Sequence, residues 1–520
     1  MPTMFIDGLE VRVEAGATIL DAARRLGIDI PALCFLPGRE ASTSCMCCVV
    51  KVVETGRLVP SCATAAAEGL RVESETDEVR AARRAALELL LSDHLGDCEA
   101  PCQSACPAGM DIPRMIRQIA AGRLDDAIAT VKAHIALPAV LGRICPAPCE
   151  KACRRGGWDA PLAICHLKRH VADADLAARE PYLPPCAPPT GRSVAIVGAG
   201  PAGLAAAWRL LQDGVACCVF DDHPDAGGAL RHAVPADRLD PAVVDAEAAI
   251  VARLGAEFRL NRRVEDPAGL RGEFDAVFCA PGPVEPEQVR RWGLDATDRG
   301  IRIDRATHAT SAEGVFAGGA ATGGGRMAVR ALADGQRAAV AIGQYLRGEP
   351  VRGQQRWFTC RIGRMEKDDI EPFLTPAVSR AARADMPPAG FDDPTARDES
   401  ARCLHCDCRK PDACKLRLYA DALGAKAARF GRPERPFVQD TSHPDVIYEP
   451  GKCIDCGLCV QIAAAAGERL GLTFVGRGFD VRVAVPFDES LAEGLKAAAA
   501  DCVAACPTAA LAFRDDRPDT

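Results

Sequence analysis

Cysteine constrains this chain more than any other residue: there are 26 among 520 residues, most of them in tight clusters. Read as disulfides, so many would require export. The opening "MPTMFIDGLEVRVEAG" has neither the basic start nor the apolar core of a signal peptide. The expected setting is therefore the reducing cytoplasm, where clustered cysteines read as metal ligands. No run of about 18 apolar residues occurs, so no membrane span is expected. The net charge of -8 argues against a nucleic-acid surface. Cys186, Cys217, Cys218, Cys279 and Cys360 stand apart from the clusters and read as ordinary residues.

Residues 1–78 read as a small β-rich domain. "MFIDGLEVRVEAG" alternates in two strand-like pieces around Asp7-Gly8, a hairpin signal. A short helix follows in "TILDAARRLGI", with Thr18 as N-cap and Asp21 three residues on. Cys34, Cys45, Cys48 and Cys62 then stand at C-x10-C-x2-C-x13-C spacing. Three loop cysteines and a distant fourth suit a [2Fe–2S] cluster; a zinc ion accepts the same four thiolates. "CMCCVVKV" and the spacing resemble the β-grasp ferredoxin domain of the complex I large iron–sulfur subunit and related hydrogenase and formate dehydrogenase subunits. That resemblance implies [2Fe–2S], with Cys47 outside the ligand set.

Residues 79–185 read as helical, from "VRAARRAALELLLSDH" and from "DIPRMIRQIAAGRLDDAIATVKAH" with a break near Gly122. Two cysteine blocks flank the second segment: Cys98, Cys102 and Cys106 before it, and Cys145, Cys149 and Cys153 after it, with Cys165 further on. These seven fall one short of two four-ligand sets. His94 is the candidate eighth, against the plainer reading of a surface or cap residue. "LGRICPAPCEKACRR" and "CPAGMDIP" resemble the N-terminal domain of the glutamate synthase small subunit and of dihydropyrimidine dehydrogenase. The resemblance implies two [4Fe–4S] clusters: one on Cys98, Cys102, Cys153 and His94, the other on Cys106, Cys145, Cys149 and Cys165. This chain's first block has three cysteines where that family usually has four.

A proline-rich linker leads to residues 190–350, opened by "SVAIVGAGPAGLAAAWRLLQDGVACCVFDD". Here a buried strand runs into Gly198, Gly200 and Gly203 at G-x-G-x-x-G spacing, then a helix, then a strand ending at Asp221. Glycines allow the tight turn that seats a pyrophosphate at a helix N-terminus, and the acid can hold a ribose. The motif alone leaves NAD and FAD open. "DAGGALRHAVP" with Gly228, "FDAVFCAPG", and "GVFAGGAATGGG" with Gly318 and Gly319 resemble the FAD domain of the glutamate synthase small subunit. That implies FAD, although Ala320 stands where the family usually has Asp. The family also inserts an NAD(P)H domain between the positions of Gly282 and Gly314. Residues 283–313 contain no glycine-rich turn and fall short of a domain, for which a single βαβ unit takes roughly 30 residues or more.

Residues 351–400 read as a polar linker, and residues 401–520 as a cysteine-rich α+β ferredoxin-like domain. Cys403, Cys406, Cys408 and Cys414 form a C-x2-C-x-C-x5-C set for [4Fe–4S] or zinc; the company of the other sites favours iron. "GKCIDCGLCVQIAAAAG" has Cys453, Cys456 and Cys459 but Ala463 where a fourth ferredoxin cysteine belongs. In two-cluster ferredoxins the fourth cysteine of each run serves the other cluster. Read backward from Pro507, the second run keeps Cys502 and Cys506 and has Lys496 and Ala499 in its first two places. Cys506 therefore completes one set, and the other, reduced to Cys502, is lost. "GRGFDVRVAVPFDESL" resembles the matching region of the complex I large subunit.

The expected architecture is a multidomain α/β chain: β-grasp [2Fe–2S] domain, helical bis-[4Fe–4S] domain, Rossmann-type FAD domain without its NAD(P)H insert, and C-terminal ferredoxin-like domain. No catalytic acid–base pair or nucleophile stands out. The resemblances imply an electron-transfer subunit of a multi-subunit oxidoreductase, working with other redox subunits such as an NADH-oxidising flavoprotein, or with ferredoxin. The alternative is a self-sufficient NAD(P)H-dependent oxidoreductase like the glutamate synthase small subunit.

Overall fold

The computed structural model describes residues 1–324, 327–375, 378–431 and 436–514. The chain divides into two compact units, each drawn from separated stretches of sequence. The first combines Met1–Ala100, Trp357–Thr375 and Cys406–Thr520; the second combines Pro101–Arg356 and Pro376–His405.

The first unit begins with a five-stranded sheet in the order Leu9–Arg12, Thr3–Ile6, Arg71–Glu73, Val49–Val52, Leu58–Pro60. Asp7 and Gly8 take φ of 50° and 82°, the left-handed pair that a two-residue hairpin turn needs, and Ile6 pairs with Leu9. The helix Ile19–Arg25 starts in the capping box read from Thr18 and Asp21. Its apolar side, Ile19, Leu20, Ala22 and Ala23, buries against Met4, Ile6, Val11 and Val72. Helix Asp77–Ser92 follows, capped by Thr76. Its fully buried Arg83 donates to the Val49 carbonyl from Nε (3.1 Å) and Nη2 (2.9 Å), which holds the strand next to the cysteine loop in place.

The same unit contains a small α/β layer from the C-terminal part of the chain. Val446–Tyr448 pairs antiparallel with Leu511–Phe513, and helices Leu458–Ala465 and Ala499–Ala505 pack on each other. A hairpin of Thr473–Val475 and Arg482–Ala484 lies between them in sequence.

The second unit opens with helices Ile112–Ala120, Leu124–Lys132, Pro138–Ile144 and Ile164–Ala177. The break read at Gly122 is real: its φ of 71° ends one helix before the next begins. A five-stranded parallel sheet follows, in the order Val315–Ala317, Ala276–Cys279, Ser193–Val197, Ala216–Phe220, Glu257–Arg259. Apart from the edge strand Glu257–Arg259, which is partly exposed, the strands are largely buried, as in a parallel sheet covered on both faces. Helix Pro201–Gln212 packs along helix Ala328–Leu346. Residues 283–313 contain one short helix, Pro286–Arg291, and a two-residue-per-strand hairpin, Ala296–Thr297 with Gly300–Ile301. They form no second dinucleotide fold. Among the described residues no helix is long and apolar enough to cross a membrane.

Candidate metal centres and dinucleotide site

The cysteine loop of the first sheet is shaped by two residues in the left-handed region, Thr43 and Met46, both at φ 51°. It turns four buried thiols inward as two pairs. The Cys34 and Cys45 sulfurs lie 3.4 Å apart, and the Cys48 and Cys62 thiols hydrogen-bond each other. Hydrogen bonding to Cys62 lowers the Cys48 thiol to about 6. A zinc ion gathers four thiolates into one group with sulfurs about 4 Å apart, given Zn–S bonds of about 2.3 Å. Among the described residues, no three thiols lie within 4.8 Å of one another. Two pairs, one for each iron, are what a [2Fe–2S] cluster takes. Cys47 bonds back to the Cys45 carbonyl.

At the C-terminal layer, Cys453, Cys456, Cys459 and Cys506 line one small apolar cavity. Its remaining walls include Tyr448, Leu458, Val483 and Leu511. Asp455 (φ 49°) and Gly457 (φ 74°) curl the loop around the cavity. The Asp455 and Leu511 backbone N–H groups donate to the Cys453 and Cys506 sulfurs at 3.4 and 3.5 Å, the kind of bond that tunes a bound cluster. Burial raises the Cys456 thiol to about 12. Cys502 is fully buried and does not line this cavity. Ala463, Ala499, Cys502 and Val503 instead pack into one apolar core.

In the second unit, Cys145 and Cys149 each hydrogen-bond Cys165. Buried Lys168 feels Cys165, Cys145, Cys149 and Cys106 together; burial works against its charge, yet the four thiols outweigh it and raise the pKa. The structure thus brings these four together, as the resemblance implied. Cys102, Cys153 and Cys403 pack against the large core of the same unit, and Cys153 feels the Arg402 guanidinium beside Cys403.

The expected sets Cys98, Cys102, Cys153 and His94, and Cys403, Cys406, Cys408 and Cys414, each draw residues from both units. Leu95 N–H donates to the Gly451 carbonyl (2.6 Å) and Ile362 N–H to Asp97 (2.9 Å). The loop is thereby pinned inside the first unit before Pro101 starts the next helix. Buried His94 sits just past helix Asp77–Ser92. Cys360, read from the sequence as an ordinary residue, lies beside Cys98 and donates its N–H to the Cys98 sulfur at 3.3 Å. A lone cysteine without a C-x2-C neighbour carries no local signal. The only hint was the count, since the seven cysteines of residues 98–165 and the four of residues 403–414 fall one short of three complete sets.

The glycine motif converges on the N-terminus of helix Pro201–Gln212. Gly198 has φ 106°, and a Cβ on Gly203 would stand 1.9 Å from the Gly198 carbonyl oxygen. Only glycine closes that turn. Gly200 faces open space, Gly228 approaches it, and Gly319 lies against Ala202. Asp221 ends the second strand as expected. Its carboxylate accepts from the Ala199 N–H (2.7 Å) and from the His223 N–H (3.0 Å), so it braces the loop itself. Near Ala320, the helix Ala328–Leu346 supplies Asp334, whose carboxyl hydrogen-bonds the Gly319 backbone and is raised by burial.

Comparison with known proteins agrees with these modules. The family described as "2Fe-2S iron-sulfur cluster binding domain" matches residues 2–77. "Dihydropyrimidine dehydrogenase domain II, 4Fe-4S cluster" matches 77–180, and "NAD(P)-binding Rossmann-like domain" matches 196–262. The chain is 39% identical over 207 residues to the beta subunit of NADP(+)-dependent formate dehydrogenase of Moorella thermoacetica, covering 35% of this chain and 29% of that one. It is 34% identical over 210 residues to the beta subunit of NADPH-Fe(3+) oxidoreductase of Geobacter sulfurreducens (39% and 30%). Against the glutamate synthase [NADPH] small chain of Mycobacterium tuberculosis the figures are 38% over 192 residues (36% and 39%). The aligned part thus spans well under half the length of these relatives. Over about a third of its length the chain is thus similar to subunits of the formate dehydrogenase beta and glutamate synthase small-chain kind, and it joins segments matching [2Fe–2S], [4Fe–4S] and Rossmann-like families in one polypeptide.

Proposed function

We propose that this chain is the electron-relay subunit of a multi-subunit oxidoreductase, carrying electrons between a partner dehydrogenase and another carrier. The observation that supports it best lies in the first unit. The Cys34–Cys45 pair and Cys456 border one apolar core, and the Cys456 thiol feels the charges of Cys34 and Cys45. Two redox sites side by side, walled from water, are what a wire requires. Bound clusters would supply one-electron redox chemistry. The chain's own residues do the rest: thiolates from distant segments hold the centres, apolar walls exclude water, and backbone N–H groups on the sulfurs favour the reduced, more negative state.

In this reading the ligands are Cys34, Cys45, Cys48 and Cys62 for [2Fe–2S], with Cys106, Cys145, Cys149 and Cys165, and Cys453, Cys456, Cys459 and Cys506, for two [4Fe–4S] clusters. Residues 1–78, 79–185, 190–350 and 401–520 are the functional modules, the last ferredoxin-like. The Rossmann-like module takes FAD, with its pyrophosphate at the helix N-terminus beside Gly200, Gly228 and Gly319. The match of residues 196–262 to an NAD(P)-binding family favours a second reading, in which the same turn takes NAD(P). Flavin analysis of an acid extract separates the two.

Residues 283–313 offer no second dinucleotide fold, and hydride transfer needs nicotinamide held against its acceptor. The isolated chain should therefore be bleached by dithionite under anaerobic conditions and stay oxidised with NADH or NADPH until a partner subunit is added. Stoichiometric bleaching by NADPH within seconds, with no partner, would make the chain a self-sufficient enzyme instead.

A further inference from the structure

The proposed relay leaves a set of buried thiols unused. Cys98, Cys360, Cys408 and Cys414 are all buried in the first unit. They come from three stretches of chain whose backbones interlock around them. Cys98 N–H donates to the Cys360 carbonyl (3.2 Å) and Cys408 N–H to the Cys98 carbonyl (3.4 Å), while Cys360 N–H donates to the Cys98 sulfur (3.3 Å). The Cys414 thiol feels those of Cys408 and Cys98. We infer that Cys98, Cys360, Cys408 and Cys414 form a further [4Fe–4S] site, placed in the same apolar core as the Cys34–Cys45 pair and Cys456.

Three observations carry it. The first is stoichiometry: four thiols, each on its own iron, complete a cubane. The second is convergence: backbone hydrogen bonds hold Cys98 against Cys360 and Cys408, and Cys98, Cys360 and Cys414 bury in one apolar core. The third is charge. Four thiolates in an apolar core need cations, and Cys98 feels both Arg417 and Lys452. Arg417 is held in place by the Phe358 and Pro411 carbonyls and by Glu99, which belong to the same three stretches. Cys98, Cys360 and Cys414 share one core with Cys34, Cys45 and Cys456, so the site extends the relay and rests on that reading.

The test uses the full chain, purified anaerobically with its clusters. Cys360→Ala and Cys414→Ala should each lose about four iron atoms per chain and the same paramagnetic signal. The double variant should lose no more than either single one. Cys186→Ala, an exposed thiol, should lose nothing. Because a ligand variant can fail to fold, Arg417→Gln gives an independent arm. Removing a cation beside one cluster should shift that cluster's midpoint potential downward and leave the others in place. Full iron retention in Cys360→Ala, additive losses in the double variant, stoichiometric zinc in the wild-type chain, or unshifted potentials in Arg417→Gln would each overturn the inference. If the other cluster signals persist while this one is missing from the wild-type protein, only this site fails and the relay reading stands.

Discussion

Glu399 offers the sharpest test of how the second unit holds its cysteines. Its side chain is fully buried. Oε1 accepts from the Ala163 N–H and from Arg402 Nη1, both at 2.9 Å, and Oε2 accepts from the Ala384 N–H at 2.9 Å. Ala163 immediately precedes the helix that carries Cys165, and Arg402 immediately precedes Cys403. One carboxylate therefore ties together two cysteine-bearing segments. Glu399→Ala would strand two buried N–H groups, at about 1–3 kcal/mol each, and unbalance a buried guanidinium. Arg402 keeps Asp159, the Ala160 carbonyl and the Ala381 carbonyl, so its loss is partial. The contributions overlap, and about 4 kcal/mol is the expected total, within the range for breaking a buried ion pair. For a unit of this size that is roughly a 10 °C fall in Tm. In hydrogen exchange it is a loss of protection of about a thousandfold, at 1.36 kcal/mol per tenfold, read in peptides covering residues 160–170 and 399–405. Iron release to a chelator should quicken in parallel. Glu399→Gln keeps the volume and one acceptor, and should show about half the effect. If Glu399→Ala leaves Tm within about 1 °C of wild type and exchange unchanged, the bracing argument is wrong.

Other outcomes are expected from the same geometry. Cys506→Ser should lose or convert the C-terminal cluster by paramagnetic resonance, whereas Cys502→Ser, outside the cavity, should keep it; the reverse result would mean a misplaced register. Gly203→Ala should abolish dinucleotide retention on gel filtration, because its Cβ would meet the Gly198 carbonyl oxygen at 1.9 Å. Glu247 is buried with its carboxylate on the Ala139 and Val140 N–H groups, and burial, only partly offset by those bonds, raises it to about 8. The folded chain therefore binds more protons than the unfolded chain between about pH 4.5 and 8. Stability should fall with rising pH across that window, by at most about 1.4 kcal/mol per pH unit, and level off above it. Glu247→Gln should flatten the slope of Tm between pH 6 and 8, and an unchanged slope would remove Glu247 as its cause.

What was legible in the sequence was local or fixed by spacing. The Asp7-Gly8 turn and the Thr18–Asp21 capping box each involve neighbours whose chemistry specifies one geometry, and both stand in the structure. The strand–glycine–helix–strand–acid unit was legible for the same reason, although Asp221 is spent on the Ala199 N–H rather than left facing the turn. The grouping of Cys506 with Cys453, Cys456 and Cys459 around one cavity crosses more chain, and the ferredoxin rule that pairs each run with the other's fourth cysteine points to it from short spacings. Cys98 shows where this stops. Its neighbours in sequence point to Cys102, four residues away, and its sulfur also takes a hydrogen bond from the Cys360 N–H, 262 residues away. Nothing in "FTCRIGRM" announces that contact. The partner is chosen by the docking of Leu95 on Gly451 and Asp97 on Ile362, contacts between backbones that have no sequence pattern of their own.

The C-terminal layer sets a thiol-lined cavity beside a closed apolar core. A cubane site cannot simply be emptied, because four buried thiols without metal leave a cavity, and a cavity lined by polarisable but unpaired groups is destabilising. Here Cys453, Cys456, Cys459 and Cys506 border one small cavity, while Ala463 and Ala499 pack in the same core as Cys502 and Val503, at 0–9% exposure. The helices Leu458–Ala465 and Ala499–Ala505 pack directly on each other there. Small side chains let helix backbones approach closely enough to close the gap that a cluster would hold open. Cys502 lies in this core as a buried hydrophobe whose thiol reaches the Cys459 carbonyl at 3.7 Å. That contact sets the core directly behind the wall of the cavity, so larger side chains at Ala463 and Ala499 would overpack the wall.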